Sequence, residues 1–160
     1  MVGLKIYSGI YCEVFDVKLV VQRVKESSVS VDGKTVASIA KGLMVLVGFG
    51  VSDDEEIADI MANRLLKLRI FPDTDGRMNL SVCDIGGSLL LVPQFTLYAS
   101  TKKHRPSFHK SMNPTDASQL FDYFCDKCSE DISVERGVFG AYMEVSLVND
   151  GPVTIELSKD

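Results

Sequence analysis

The chemistry-bearing residues of this chain fall into a few short segments. Cys125-Asp126-Lys127-Cys128 is a CxxC. A redox pair of that kind sits at a helix N-terminus, where the dipole lowers a thiol pKa; here the pair falls late in an expected second helix. A zinc site needs two further ligands, and Cys12, Cys83, His104 and His109 offer no second pair. The cysteines are therefore expected to be structural, with a thiol-dependent protein as the weakest rival reading. His104 and His109 share a basic segment, but no Asp or Glu lies between Ile85 and Thr115 to orient either one, and no G-x-S-x-G elbow exists. Gly48-Phe49-Gly50 lacks the third glycine of a dinucleotide fingerprint. Lys102-Lys103-His104-Arg105 has the charge to hold a phosphodiester end, or to be a solvated loop.

Two segments are specified beyond packing needs. In Val92-Pro93-Gln94-Phe95-Thr96-Leu97-Tyr98, a proline stops ladder pairing and polar Gln94 and Thr96 follow beside an apolar floor. In Asn149-Asp150-Gly151-Pro152-Val153-Thr154, Gly-Pro makes a turn by itself and allows a cis bond.

The elements that must position these segments follow from patterning. The chain has 160 residues, 46% hydrophobic and 24% charged, which fits one globular domain and excludes disorder, collagen and coiled coil. No apolar run reaches membrane-spanning length, and the net charge of −5 argues against a grip on long duplexes, so no DNA and no membrane partner is expected. Strands are expected over Val17–Val24, Ser28–Val31, Thr35–Ile39 after an Asp32-Gly33 turn, Leu43–Phe49, Leu80–Val82, Ser88–Phe95, Ile132–Glu135, Tyr142–Val148 and Val153–Leu157. A Ser52/Glu55 capping box opens a helix over Asp53–Leu68, its apolar face including Ile60; a second helix starts at Pro114 behind Asn113. About eight short strands and two helices read as α/β: a single mixed α/β domain, sheet layers with helices on one side. Met1–Asp16 lacks the basic and unbroken apolar regions of a signal peptide. It reads as an extension, 1–16, to a domain spanning 17–160, with a cytoplasmic location as the default.

In order along the chain, Val21-Gln22-Arg23-Val24, Val31-Asp32-Gly33, Leu68-Arg69-Ile70-Phe71, Met78-Asn79-Leu80-Ser81, Gln94-Phe95-Thr96-Leu97, Arg105-Pro106-Ser107-Phe108, Phe139-Gly140-Ala141-Tyr142-Met143 and Asn149–Thr154 resemble the D-aminoacyl-tRNA deacylases. The resemblance runs from about Lys18 to the C-terminus. It departs at Pro93, where the family commonly has Ser, and in the basic loop, which is one residue shorter and lacks a Gly near His104. It implies a three-layer fold and hydrolysis of the ester between a D-amino acid and the terminal ribose of tRNA, with glycyl-tRNA also accepted. It further implies a homodimer with active sites at the interface, and no cofactor. Gly151 and Pro152 map onto a Gly-cisPro motif that reaches into the partner's site and rejects L side chains. Gln94, Phe95 and Thr96 map onto the catalytic segment, as a cradle for the oxyanion. Thr96 is either a nucleophile or a positioning hydroxyl; lacking an adjacent base, it reads better as the latter, with the ribose 2′-hydroxyl helping to activate water. Pro93, Phe139, Met143, Asn149, Lys102 and Arg105 are the expected substrate contacts, Phe139 and Met143 packing the terminal adenine. The alternative is a non-catalytic module that binds the tRNA 3′ end in the same pocket.

Overall fold

The computed structural model describes residues 4–7, 10–13 and 16–159. Of the stretch read as an extension, residues 1–3, 8, 9, 14 and 15 lie outside the described residues; the remainder holds an antiparallel pair, β1 (Leu4–Tyr7) and β2 (Ile10–Glu13).

β3 (Lys18–Val31) is one 14-residue strand where two were expected. The polar Lys25–Ser27 stretch between its apolar halves does not interrupt it. Instead the strand changes partner there: Lys18–Val24 pair with β5 (Gly42–Gly48), and Ser27–Val31 with β4 (Lys34–Ile39). The Asp32-Gly33 turn forms as expected, both residues at positive φ. β6 (Phe71–Pro72) and β7 (Met78–Leu80) make a small hairpin around a turn at 73–76, and β7 ends where Leu80–Val82 was expected to be a strand. β8 (Ser88–Pro93) lies parallel to β5 and to β9 (Ser133–Arg136). The C-terminal half closes with β10 (Glu144–Leu157), again one strand where two were expected, because an irregularity between Val148 and Thr154 is absorbed as a bulge. The main sheet runs β10-β3-β5-β8-β9 with β4 on β3. Among the described residues the strands number ten, against about eight expected, and two of them, β1 and β2, lie in the stretch read as an extension.

The parallel β5–β8–β9 pairings need crossovers, and the two helices supply them. α1 (Glu55–Leu66) is capped by Asp54, whose carboxylate accepts the Ile57 N–H at 3.0 Å; Ser52 is not the cap, since the helix begins later than the capping-box spacing implied. α2 (Pro114–Ser129) starts as expected, with Asn113 Oδ1 accepting the Asp116 N–H at 3.0 Å and Pro114 in the first turn. Both helices cover one face of the sheet. Leu43, Val45, Val47, Leu89 and Leu91 point into that layer with Ile57, Met61, Leu65, Phe121 and Phe124. Met44, Leu90 and Val92 point the other way, where Ala37 and Ile39 of β4 and Val145 and Leu147 of β10 meet them. This explains why β5 and β8 read as continuous apolar runs: both faces are buried. Ile60 points outward from α1, 39% exposed. Among the described residues no helix is long and apolar enough to cross a membrane.

Candidate active site

β8 was expected to reach Phe95, but it stops at Pro93, which has no N–H to continue the ladder. The chain turns into a single 3-10 turn, Phe95–Tyr98. The turn is fastened at both ends. The Gln94 N–H donates to the Val47 carbonyl at 2.7 Å, and the Ala99 N–H to the Thr96 carbonyl at 3.0 Å. Gly48 seats it, since a Cβ there would stand 3.0 Å from both the Gln94 carbonyl oxygen and Leu97 Cβ. Below, Tyr98 is buried and its hydroxyl donates to the Asp16 carbonyl oxygen. The opening N–H groups of such a turn, those of Phe95 and Thr96, have no acceptor within it. The Gln94 side-chain amide donates to the Thr96 hydroxyl, so these two side chains are held as a unit.

Beside this turn lies a cavity of about 620 Å³, within the range of small-molecule sites. Pro93, Gln94, Phe95, Phe139 and Met143, all sequence-derived candidates, line it together. Thr96 reaches it only through Gln94. The sequence reading assigned no role to Phe108, Ser111 or Tyr142, which also line it. The Phe95 and Phe108 rings pack edge-to-face at 5.0 Å, and Phe139 is braced by Phe121 at 6.3 Å. Among the lining residues there is no His, Lys, Arg, Cys, Asp or Glu. A second hollow of about 570 Å³, between the starts of α1 and α2, is lined by Asp53, Asp54, Glu55 and Asp116, a wall that repels an anionic RNA end.

The Gly151-Pro152 turn is elsewhere. It sits in the β10 bulge, and its peptide bond is cis. Asn149 clasps it from inside: its Oδ1 accepts the Val153 N–H at 2.6 Å, and its Nδ2 donates to the Val153 carbonyl at 3.2 Å and to the Thr154 hydroxyl at 3.0 Å. Asn149 is thus a clasp for the turn and lines no part of the cavity. Arg23 holds the turn from the neighbouring strand. Its Nε donates to the Asp150 carbonyl at 2.8 Å and its Nη1 to the Ile70 carbonyl at 2.7 Å. Arg23 lies within the Val21–Val24 segment of the resemblance, but a lone arginine in a strand gives no sign of the carbonyls it will reach. Gly151 has φ +142°, and a Cβ there would lie 2.8 Å from Val153 Cγ2 and 3.1 Å from Arg23 Nη2. Lys102 and Arg105 are exposed on the 100–113 loop, outside the cavity, whose wall that same loop enters at Phe108.

Register gives the separation. Arg23 stands opposite Leu43 and Leu89, whereas Pro93 stands opposite Val47. The turn and the cavity are therefore three strand spacings and four residues apart, about 20 Å within one chain.

The CxxC thiols are core groups: Cys125 and Cys128 are fully buried in α2, and burial pushes each up to about 12. Asp53 is half-buried near the chain's entry to the domain. One oxygen accepts the Gly50 N–H at 2.6 Å, the other is buried without a partner, and burial first, then neighbouring Asp16, raise its pKa to about 7.

Residues 20–158 match the family model described as D-Tyr-tRNA(Tyr) deacylase. A solved structure titled c-Myc DNA Unwinding Element Binding Protein is 37% identical, with a TM-score of 0.86, 89% of this chain covered and 99% of that one. A second, titled as a probable eukaryotic D-amino acid tRNA deacylase, is 19% identical with a TM-score of 0.77 and the same coverages, and shares the fold.

Proposed function

Since the chain belongs to the D-Tyr-tRNA(Tyr) deacylase family, hydrolases of the D-aminoacyl-tRNA ester bond, we propose that it acts as a chiral proofreader, sparing L-aminoacyl-tRNA and also clearing mischarged glycyl-tRNA. The observation that carries this reading is the separation of about 20 Å between turn and cavity within one chain. The turn cannot serve its own cavity, so a second copy delivers it, and the enzyme works as a homodimer with its sites at the interface.

In the cavity the terminal adenine packs against Phe139 and Met143. The ester carbonyl lies over the N–H groups of Phe95 and Thr96, with the Gln94–Thr96 pair orienting it. Lys102 and Arg105 meet phosphates of the acceptor end. The wall supplies no carboxylate, imidazole, amine or thiol, and its one phenol, Tyr142, is exposed at the mouth, so the proton path runs through the ribose 2′-hydroxyl. Water attacks the carbonyl carbon and gives up its proton towards that hydroxyl. The tetrahedral oxyanion is held by the two N–H groups. The ester bond then breaks as the 2′-hydroxyl passes a proton to the departing 3′-oxygen, and free amino acid and tRNA with both ribose hydroxyls restored are released. The partner's Gly151-Pro152 turn presents backbone carbonyls held by Arg23 and Asn149. They exclude an L side chain and leave a D side chain facing solvent; glycine, lacking a Cβ, passes.

On this reading the catalytic domain is 17–160, with 1–16 an extension, and the enzyme works in the cytoplasm alongside its substrate. The DNA binding named for the 37% identical protein is not part of it, since this chain carries a net charge of −5. The test is single-turnover hydrolysis of D-tyrosyl-, L-tyrosyl- and glycyl-tRNA. D-tyrosyl and glycyl esters are expected to be cleaved, with the L ester slower by several orders of magnitude. Comparable cleavage of the L ester removes the chiral reading. Binding of all three without hydrolysis establishes the 3′-end binding module instead.

A further inference from the structure

The cavity has one aromatic that the proposed chemistry leaves unused. Tyr142 lies at its mouth, just past the 138–141 turn that the Ala141 N–H closes onto the Val138 carbonyl at 3.2 Å. It is 89% exposed, the most exposed of the large apolar side chains among the described residues. The other aromatics of the cavity are braced: Phe95 by Phe108, and Phe139 by Phe121. Among the described residues Tyr142 has no ring or hydrogen-bonding partner. Its neighbours along the chain, Ala141 and Met143, are half-buried in the cavity wall while Tyr142 itself is exposed, so the phenol faces outward from the place where the adenine sits.

A ring left in water at the rim of a nucleotide site is a stacking surface. It has few rotors to freeze, and every base offers a π face. The charge around it fits the same ligand. The exposed Lys102, Lys103 and Arg105 lie on the loop whose Phe108 enters the cavity wall, and they suit a phosphodiester that leaves the mouth. We propose that Tyr142 stacks on the base preceding the terminal adenosine, so that the site reads two nucleotides of the RNA end rather than one. This rests on the deacylase reading and extends its substrate contact by one nucleotide.

The experiment compares 3′-O-D-tyrosyl-adenosine with the D-tyrosyl ester of cytidylyl-adenosine. For Tyr142→Ala the expected result is a loss of about tenfold in kcat/KM on the dinucleotide ester, carried by KM, with the mononucleoside ester unchanged. Tyr142→Phe and Tyr142→Trp should retain wild-type values. A dinucleotide whose first base is replaced by an abasic site should cost the wild type the same factor and cost Tyr142→Ala nothing more. An equal loss on both esters, no loss on either, or a change in sedimenting mass, which would make the ring a subunit contact, overturns the proposal. If the wild type cleaves neither ester, nor D-tyrosyl-tRNA, the deacylase reading falls first and takes this one with it.

Discussion

The two candidate regions of this molecule are built on opposite plans. The cavity beside Pro93 is a largely apolar receptacle, with Ser111, Asn113 and Tyr142 as further polar lining beside the hydrogen-bonded pair Gln94 and Thr96. The Gly151-Pro152 turn is clasped from both sides by long polar side chains, Asn149 and Arg23, reaching main-chain groups. The first leaves room for a ligand to settle. The second leaves the turn no freedom, as suits a group that selects by exclusion. A filter that yields a few tenths of an ångström admits the wrong hand, whereas a receptacle that yields still holds its substrate.

The largest effect expected concerns the receptacle. If its wall contributes no proton acceptor, a D-aminoacyl-tRNA ending in 2′-deoxyadenosine should lose about a thousandfold in single-turnover rate, the weight of a general base. Thr96→Ala should lose less, about ten- to a hundredfold, as for one oriented group. A trapped aminoacyl ester on Thr96, or full rate on the deoxy substrate, reverses these roles.

Rigidity of the turn is tested by Gly151→Ala. The added Cβ meets Val153 and Arg23, and its φ of +142° disfavours any L side chain. A loss of about a hundredfold in kcat/KM on D-tyrosyl-tRNA is expected, as for misplacing a positioned group by an ångström. Mixing that variant with an inactive Phe139→Ala homodimer under subunit exchange should restore about a quarter of the sites, because half the dimers are mixed and each has one intact site. No recovery on mixing would place turn and cavity in the same chain's site.

The smallest effect lies away from both regions. The carboxyl of Asp53 is raised from 3.8 to about 7, chiefly by burial. The folded state therefore holds a proton there that the unfolded state releases above its ordinary value. The stability this adds is complete below about pH 4 and is lost as pH rises through about 7. Asp53→Asn should flatten the fall in Tm between pH 5 and 8.5 and raise Tm by a few degrees at the upper end. An unchanged slope refutes the assignment.

What could be read from the sequence was what depends on neighbours in the chain. Asp32-Gly33, Asn113-Pro114 and the apolar run Leu43–Phe49 carry their instructions locally: the turn and the helix start formed as patterned, and the run forms the strand Gly42–Gly48. Pattern singled out the segment of Pro93, Gln94 and Phe95, but their roles, and Phe139 and Met143 altogether, came from ordered resemblance, and the five do share one wall. What failed was decided across the fold. β3 continues through Lys25–Ser27 because different strands receive its two halves. Asp54 rather than Ser52 caps α1, while the adjacent Asp53 takes the Gly50 N–H. Arg23 was visible only as a letter, since its two carbonyl acceptors lie 47 and 127 residues away.

The register of β10 has a consequence for how the protein is made. Glu144 pairs with Ser30 and Leu157 with Leu19, so the strand carrying the turn zips onto the strand that opens the main sheet. Such long-range pairing makes folding slow, because a loop of over a hundred residues must close before the contact is gained. On the ribosome β3 emerges early and waits, one edge open, until residues 144–157 follow. An open strand edge is also where chains stick to one another. The turn proposed to judge translation's products is thus made more than a hundred residues after the strand that anchors it, and until it docks that edge of β3 stays unpaired.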